Sequence, residues 1–153
     1  KDGSCYTGIV EKVLSEINDI NKCNVIVVKS TIPPGTTSKW NKMFSNIDII
    51  FNPEFLTEAN AINDFKNQNR IIIGGPKKAA SKVRRLFVKA FPKVKIIKTD
   101  STYAEMVKYV TNCFLATKVS FANEMYEICN YLGIDYDKVI EYAMHDERFT
   151  LFK

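Results

Sequence analysis

The sequence has few of the residues that build disulfide frameworks or metal centres. Its cysteines, at positions 5, 23, 113 and 129, form no Cys-x-x-Cys pair, and His145 is the one histidine. This spacing is not typical of a metal site, so we predict none, and it favours a reducing, cytoplasmic compartment. Cys113 and Cys129 fall within a helical pattern, where thiols usually serve packing.

Long hydrophobic runs are also missing. No apolar stretch approaches the about 20 residues that a membrane helix needs, so we expect no membrane partner. Hydrophobic residues make up 46% and charged residues 25% of the 153 positions, as in ordinary globular proteins. This length allows one domain, or one and a part, with a real core. Because the chain opens on Lys1 without a methionine, we expect a segment of a longer protein.

Acidic residues are absent between Lys77 and Lys98, where nine Lys or Arg residues lie. Such a run can indicate a nucleic-acid or other anionic partner. However, Val83 and Phe87 belong to a helical apolar stripe that continues through the run, and no aromatic residues alternate with the charges to stack bases. We interpret the charges as the solvated face of a packed helix and predict no nucleic-acid partner.

Apolar runs and amphipathic stretches alternate up to about residue 100. The unbroken apolar run at 25–28 is typical of a strand buried on both faces of a parallel sheet, and we predict further strands over 47–51, 70–73 and 94–98. Helical spacing predicts helices over 6–21, 36–44 and 77–91. This order predicts an α/β fold of βαβ units with right-handed crossovers and a parallel sheet.

The character of the chain changes after Asp100. Residues 102–132 contain no Gly or Pro and keep a helical apolar period, which predicts one long helix. Gly133 is placed to end it, and Asp135 to cap a second helix. The predicted boundary therefore divides an α/β part, residues 1–100, from a helical part, residues 101–153.

Hydroxyl groups follow the first predicted strand. Open α/β sheets bind ligands at the carboxyl ends of their strands, and Thr31 lies at such an end. Its hydroxyl could orient a water molecule or a carboxamide. The alternative is that Ser30 and Thr31, which precede two prolines, only form a turn.

Two acids follow the second strand, beyond Asn52-Pro53. If the chain coils there, Glu54 and Glu58 share one face of a helical turn. Beside Phe55 and Leu56 such carboxylates would be desolvated, which suits them to accept a proton. The alternative is a pair of ordinary acids near a helix start.

Lys108 and Asn112 are four residues apart on the predicted long helix and project from one face. Lys108 could stabilise developing negative charge. Alternatively, it could form a surface ion pair with Glu105.

Three ordered motifs resemble the nucleotide-sugar dehydrogenase family, which includes UDP-glucose and GDP-mannose dehydrogenases. They are Lys-Ser-Thr-Ile-Pro-Pro-Gly-Thr-Thr at 29–37, Asn-Pro-Glu-Phe-Leu-x-Glu at 52–58, and Glu-x-x-Lys-x-x-x-Asn at 105–112, followed by Asn123-Glu124 and Asp-x-Arg at 146–148. The resemblance implies the second half of a Rossmann-like NAD-binding domain and a central helical domain. It also implies NAD-dependent oxidation of a sugar C6 alcohol, with UDP-glucose as the expected substrate.

By this resemblance, Glu54 is the general base, Thr31 helps to hold the catalytic water, and Lys108 faces the oxyanion while Asn112 contacts substrate and water. The resemblance places Ser30, Thr31 and Glu58 near the nicotinamide. For the nucleotide sugar it implies contacts from Phe55, Leu56, Glu58, Lys108, Asn112 and Arg148, with Arg148 reaching the substrate of a neighbouring subunit. Ala59 departs from the glycine that many relatives have.

Two family parts have no counterpart in this sequence. It contains no Gly-x-Gly-x-x-Gly turn, and none of its cysteines lies in the Gly-rich setting of the family's thiol nucleophile. We therefore expect these 153 residues alone to be inactive and to bind NAD weakly. GDP-mannose or UDP-N-acetylmannosamine dehydrogenase, a β-hydroxyacid dehydrogenase, and a non-catalytic dimerisation fragment remain alternatives. The apolar residues of the long helix predict a homodimer through it.

Overall fold

The computed structural model describes residues 3–20, 22 and 24–152, and for 150–152 the backbone alone. Cys23 lies outside the described residues. The regular elements, in chain order, are α1 (Gly8–Ile20), β1 (Val25–Val28), α2 (Thr36–Met43), β2 (Asp48–Phe51), α3 (Ala61–Lys66), β3 (Arg70–Gly74), α4 (Lys77–Ala90), β4 (Lys95–Thr99), α5 (Ser101–Leu132) and α6 (Tyr136–Ala143). Short 3₁₀ turns lie at Glu58–Asn60 and Glu147–Phe152.

The strands form one sheet in the order β1-β2-β3-β4. β1 pairs with β2 in parallel, and so does β3 with β4. The predicted α/β class, with a mostly parallel sheet followed by one long helix, is confirmed.

One pairing differs from the prediction of a parallel sheet. β2 and β3 are antiparallel, with Phe51 opposite Gly74. The connection between them contains only a 3₁₀ turn and the six-residue helix α3, not a helix long enough to return the chain along a face of the sheet. β3 therefore begins at the end of the sheet where β2 stops, and this connection remains beside the carboxyl ends of β1 and β2.

Successive side chains of a strand alternate between the two faces of a sheet, and the central strands β2 and β3 are buried on both faces, whereas β1 and β4 are partly exposed. On one face, Ile49, Phe51 and Ile72 join a cluster with Leu14 of α1 and Trp40 of α2. The other face carries Ile50, Ile71 and Ile73, which pack against Ala79, Ala80 and Val83 of α4. The unbroken apolar run of β3 follows from this two-sided burial. The prediction that residues 25–28 are buried on both faces is wrong for this structure, in which Val27 is 37% exposed, because β1 lies at the edge of the sheet.

The start of α5 lies close to the carboxyl end of β3. A Cβ on Gly74 would lie 2.5 Å from the Cβ of Ala104 and 2.8 Å from the Cα of Ser101. Only a glycine permits this approach. It fixes the first turns of α5 beside the sheet, and these turns carry Glu105 and Lys108.

The chain divides into two compact units, Lys1–Tyr109 and Val110–Lys153. In the second unit, Gly133 has φ 68° after the end of α5, and the Asp135 carboxylate accepts the N–H groups of Asp137 and Lys138 at the start of α6. Both predicted caps are confirmed. The rings of Tyr126 and Tyr136 meet edge to face at 5.5 Å, which packs α6 against α5. Along the described part of the chain, no helix combines the length and hydrophobicity needed to span a membrane.

Candidate functional site

A cleft of about 340 Å³ lies at the carboxyl ends of β1 and β2, and we call it the Glu54 cleft. The segment from Pro53 to Thr57 forms one wall. Lys29, Asp64 and the residues 67–70 contribute the others. The antiparallel return of β3 closes the cleft, since Arg70 begins that strand.

The turn after β2 is held by Asn52, whose side chain is buried. The backbone N–H of Asn52 donates to the carbonyl of Val28 at 2.9 Å, and its side-chain Nδ2 donates to the carbonyl of Ile72 at 2.7 Å. Its Oδ1 accepts a hydrogen bond from Lys29 Nζ at 3.1 Å. Asn52 thus ties the site loop to the carboxyl end of β1 and to β3, and both polar atoms of its side-chain amide have a partner that offsets desolvation.

Lys108 reaches this loop from α5. The side chain is buried, and its Nζ donates to the backbone carbonyl of Glu54 at 2.5 Å. The ammonium also lies 5.5 Å from the centre of the Phe55 ring, while the Arg70 guanidinium lies 4.4 Å from it. Cations over an aromatic face are attracted to it, so the half-buried Phe55 is held in place by both.

Glu54 presents its backbone to Lys108 and its carboxylate to solvent. The side chains of Glu54 and Glu58 are both exposed. Residues 52–57 are not helical, and Glu58 only begins the 3₁₀ turn. The expectation of a helical turn carrying two desolvated carboxylates is therefore wrong for the described chain, because the backbone over 52–57 is irregular and both side chains are exposed.

The charges at the cleft act on one another. Burial lowers the pKa of the Lys29 ammonium, the Glu54 carboxylate opposes that shift, and the Lys108 ammonium adds to it. Hydrogen bonds from Thr57 lower the pKa of Asp64, the larger effect coming from the side-chain hydroxyl and the smaller from the backbone N–H. Two cations thus lie within electrostatic reach of Glu54, an arrangement that suits anionic ligands or transition states.

The other predicted site residues of the first unit divide into two that line the cleft and three that do not. Ser30 and Thr31 are exposed just after the carboxyl end of β1. Glu58 lines a separate depression formed by residues 58–63. Phe55 and Leu56 do line the Glu54 cleft and are half-buried.

In the second unit, Asn112 is exposed on α5. Arg148 is exposed and forms a bidentate pair with Asp146, with its Nη2 2.5 Å from Oδ2 and its Nε 2.9 Å from Oδ1. Hydrogen bonds from Arg148 lower the pKa of Asp146. The roles predicted for both residues stay predictions.

Three contributors were not predicted from the sequence: Lys29, Asn52 and Arg70. Lys29 adjoins the predicted Ser-Thr pair, so its place at a strand end was a usable signal. Asn52 precedes a proline and looked like a strand stop. For Arg70 no local signal exists, because its contact with Phe55 depends on the antiparallel return of β3.

The NAD that the resemblance implies fits part of this site. Ser30 and Thr31 offer exposed hydroxyls at the carboxyl end of β1, where open α/β sheets receive the nicotinamide half of such ligands. NAD bound there would accept a hydride from the substrate. The glycine-rich turn that cradles a pyrophosphate does not occur in this sequence.

Known proteins similar to this chain include several that are named UDP-glucose 6-dehydrogenase. UDP-glucose 6-dehydrogenase of Rickettsia conorii is 39% identical over 129 residues, which cover 81% of this chain and 29% of the relative. UDP-glucose 6-dehydrogenase TuaD of Bacillus subtilis is 37% identical over 150 residues, covering 94% and 32%. The solved structure of UDP-D-ManNAc dehydrogenase from Pyrococcus horikoshii superposes with a TM-score of 0.81 at 27% identity, covering 94% of this chain and 36% of that one.

The chain spans about a third of the length of the curated relatives it matches. Residues 1–91 match the NAD binding domain of the UDP-glucose/GDP-mannose dehydrogenase family, and residues 102–153 match its central domain. NAD is therefore the cofactor of this domain. With both domain matches in chain order, together covering nearly all of the sequence, the chain belongs to the UDP-glucose/GDP-mannose dehydrogenase family.

Proposed function

We propose that the protein containing this chain oxidises the C6 alcohol of UDP-glucose to a carboxylate with NAD. The observation that carries the proposal is the hydrogen bond from Lys108 Nζ to the Glu54 carbonyl, which joins two residues 54 positions apart in the sequence. Each residue belongs to a different motif of the family. Their meeting at one cleft supports a single reaction centre.

Glu54 acts as the general base in this proposal. Its side chain is exposed, and the residue lines the cleft that a sugar alcohol or water would enter. The carboxylate takes the C6 hydroxyl proton, and NAD held by Ser30 and Glu58 would supply the hydride acceptor. Lys108 supplies positive charge where the oxygen becomes negative. Thr31 positions water, and Asn112 contacts the substrate.

The remaining roles follow the same family match. We assign Ser30 and Glu58 to the nicotinamide side, and Phe55 and Leu56 to the sugar nucleotide. The domain division we propose is residues 1–100 for part of the NAD-binding domain and 101–153 for the central helical domain. The separate matches to 1–91 and 102–153 support it.

The proposal predicts NADH formation by the full-length protein with UDP-glucose. Because conversion of an alcohol to a carboxylate removes two hydrides, two NADH should form per UDP-glucose. Steady-state absorbance and mass analysis of the sugar product measure this. UDP-N-acetylmannosamine is the second candidate, since a dehydrogenase for that sugar has a similar structure. GDP-mannose is the third. Absence of NADH with every nucleotide sugar would contradict the proposal.

We also propose that α5 forms a two-fold dimer interface. From Val110 to Leu132 this helix exposes many large apolar side chains, including Phe114 (49% exposed), Val119 (61%) and Tyr131 (90%). Exposed apolar surface on this scale typically marks an interface, and isologous dimers are the commonest oligomers. Arg148 would then contact the substrate of the partner subunit.

The dimer proposal predicts that light scattering at micromolar concentration gives twice the subunit mass. Val119→Glu should shift the full-length protein toward monomers, because it places a charge on the apolar surface. Lys138→Glu, which changes an exposed charged residue of α6, is the matched control and should leave the dimer intact. A monomeric wild type would contradict the proposal.

A further inference from the structure

Glu105 is a fully buried acid that the proposed reaction does not use. Its Oε2 accepts the N–H of Gly35 at 2.5 Å, and its Oε1 accepts the N–H of Thr37 at 2.8 Å. Both donors belong to the first turn of α2, which has Gly35 at its N-cap and no side-chain cap of its own. The carboxylate of α5 therefore supplies the missing cap of another helix.

This contact replaces the ion pair with Lys108 that the sequence left open. A carboxylate withdrawn from water is costly unless hydrogen bonds compensate it. Two amide N–H groups and the positive end of the α2 dipole provide that compensation. Since each carboxylate oxygen accepts a hydrogen bond from a different N–H group, the position of the Glu105 carboxylate is fixed at both oxygens.

The same stretch of α5 holds the second site loop. Lys108 lies three residues after Glu105 and therefore close to it on the helix surface. Glu105 fixes the loop between β1 and α2, which carries Ser30 and Thr31, while Lys108 fixes the loop after β2, which carries Glu54. The close approach of Gly74 anchors this part of α5 to the sheet.

We propose that Glu105 is a positioning residue that sets Thr31 and its loop in register with Lys108 and Glu54. This inference rests on the proposed function. Glu105 acts through backbone geometry. A shift of the β1–α2 loop relative to α5 would move Ser30 and Thr31 away from Glu54 and Lys108. Displacements of about 1 Å at a reaction centre can lower rates by about 100-fold.

Glu105→Gln in the full-length protein tests this. The amide offers one acceptor oxygen for two N–H groups and places its own NH₂ against one of them. We expect kcat to fall about 10- to 100-fold, with the KM for the nucleotide sugar nearly unchanged. Glu16→Gln, at an exposed position of α1, is the matched control and should keep full activity.

A second substitution separates positioning from simple loss of stability. Ser38 is exposed in the first turn of α2, so Ser38→Asp restores negative charge at that helix end without restoring the bond to α5. In the double variant the thermal midpoint should recover while kcat stays low. Recovery of kcat together with stability, or a kcat unchanged by Glu105→Gln, would overturn the inference alone. A wild type inactive on every nucleotide sugar would refute the proposed function, and the inference with it.

Discussion

Lys108→Met in the full-length protein should lower kcat by about 100- to 1,000-fold while changing the KM for the nucleotide sugar little. Methionine keeps most of the buried stem of Lys108 but removes its ammonium. The ground-state alcohol carries no charge, so the lost interaction belongs mainly to the transition state, where the oxygen becomes negative. Such a loss appears equally in kcat and kcat/KM.

The substitution also leaves the Glu54 carbonyl without its donor, at a cost of about 1–3 kcal/mol if that carbonyl stays buried. Thermal unfolding of the variant must therefore accompany the kinetics, at a temperature where the variant remains folded. Lys82→Met, at an exposed position of α4, is the control for removing a lysine charge. A variant that raises KM and keeps kcat would show that Lys108 binds substrate without acting on the reaction.

Glu54→Gln should lower kcat by about 100- to 10,000-fold, the range typical of a lost general base. The structure makes this a clean experiment. Lys108 is held by the backbone carbonyl of Glu54, and the exposed side chain contributes nothing to that bond. The amide can neither take a proton nor carry charge, yet it has the shape of the acid.

The thermal midpoint of Glu54→Gln should therefore equal that of the wild type, as should that of Glu16→Gln, an exposed control on α1. Only the first variant should lose activity. Near-normal turnover by Glu54→Gln would mean that another group accepts the proton.

The fold was largely predictable because its signals are local. A strand buried on both faces has an unbroken run of apolar residues, such as Ile71–Ile73. In an amphipathic helix, apolar residues recur at helical spacing, which can be recognised in a single sequence. Caps are local as well, which is why Gly133 and Asp135 could be assigned in advance. The antiparallel β2–β3 pair was not predictable from these signals, because strand direction depends on how the short connection through α3 folds back.

The sequence singled out Glu54, Phe55 and Leu56, which line the cleft, but it predicted none of their contacts. Motif resemblance grouped Glu54 with Lys108, yet no pattern indicates that the lysine would hold a backbone carbonyl. The spacing of Glu105 and Lys108 allows an ion pair between them. In the structure, the Glu105 carboxylate instead accepts hydrogen bonds from the N–H groups of Gly35 and Thr37. Arg70 likewise acquires its place against Phe55 only once β3 has returned to the cleft.

The central claim is that Glu54 and Lys108 form one catalytic unit, and a double-mutant cycle in kcat tests it most directly. Glu54→Gln and Lys108→Met are measured singly and together in the full-length protein with UDP-glucose and NAD. Groups that act as a unit are strongly non-additive, so the double variant should be hardly slower than the slower single variant. A double variant slowed by the full product of the two single effects would contradict the claim.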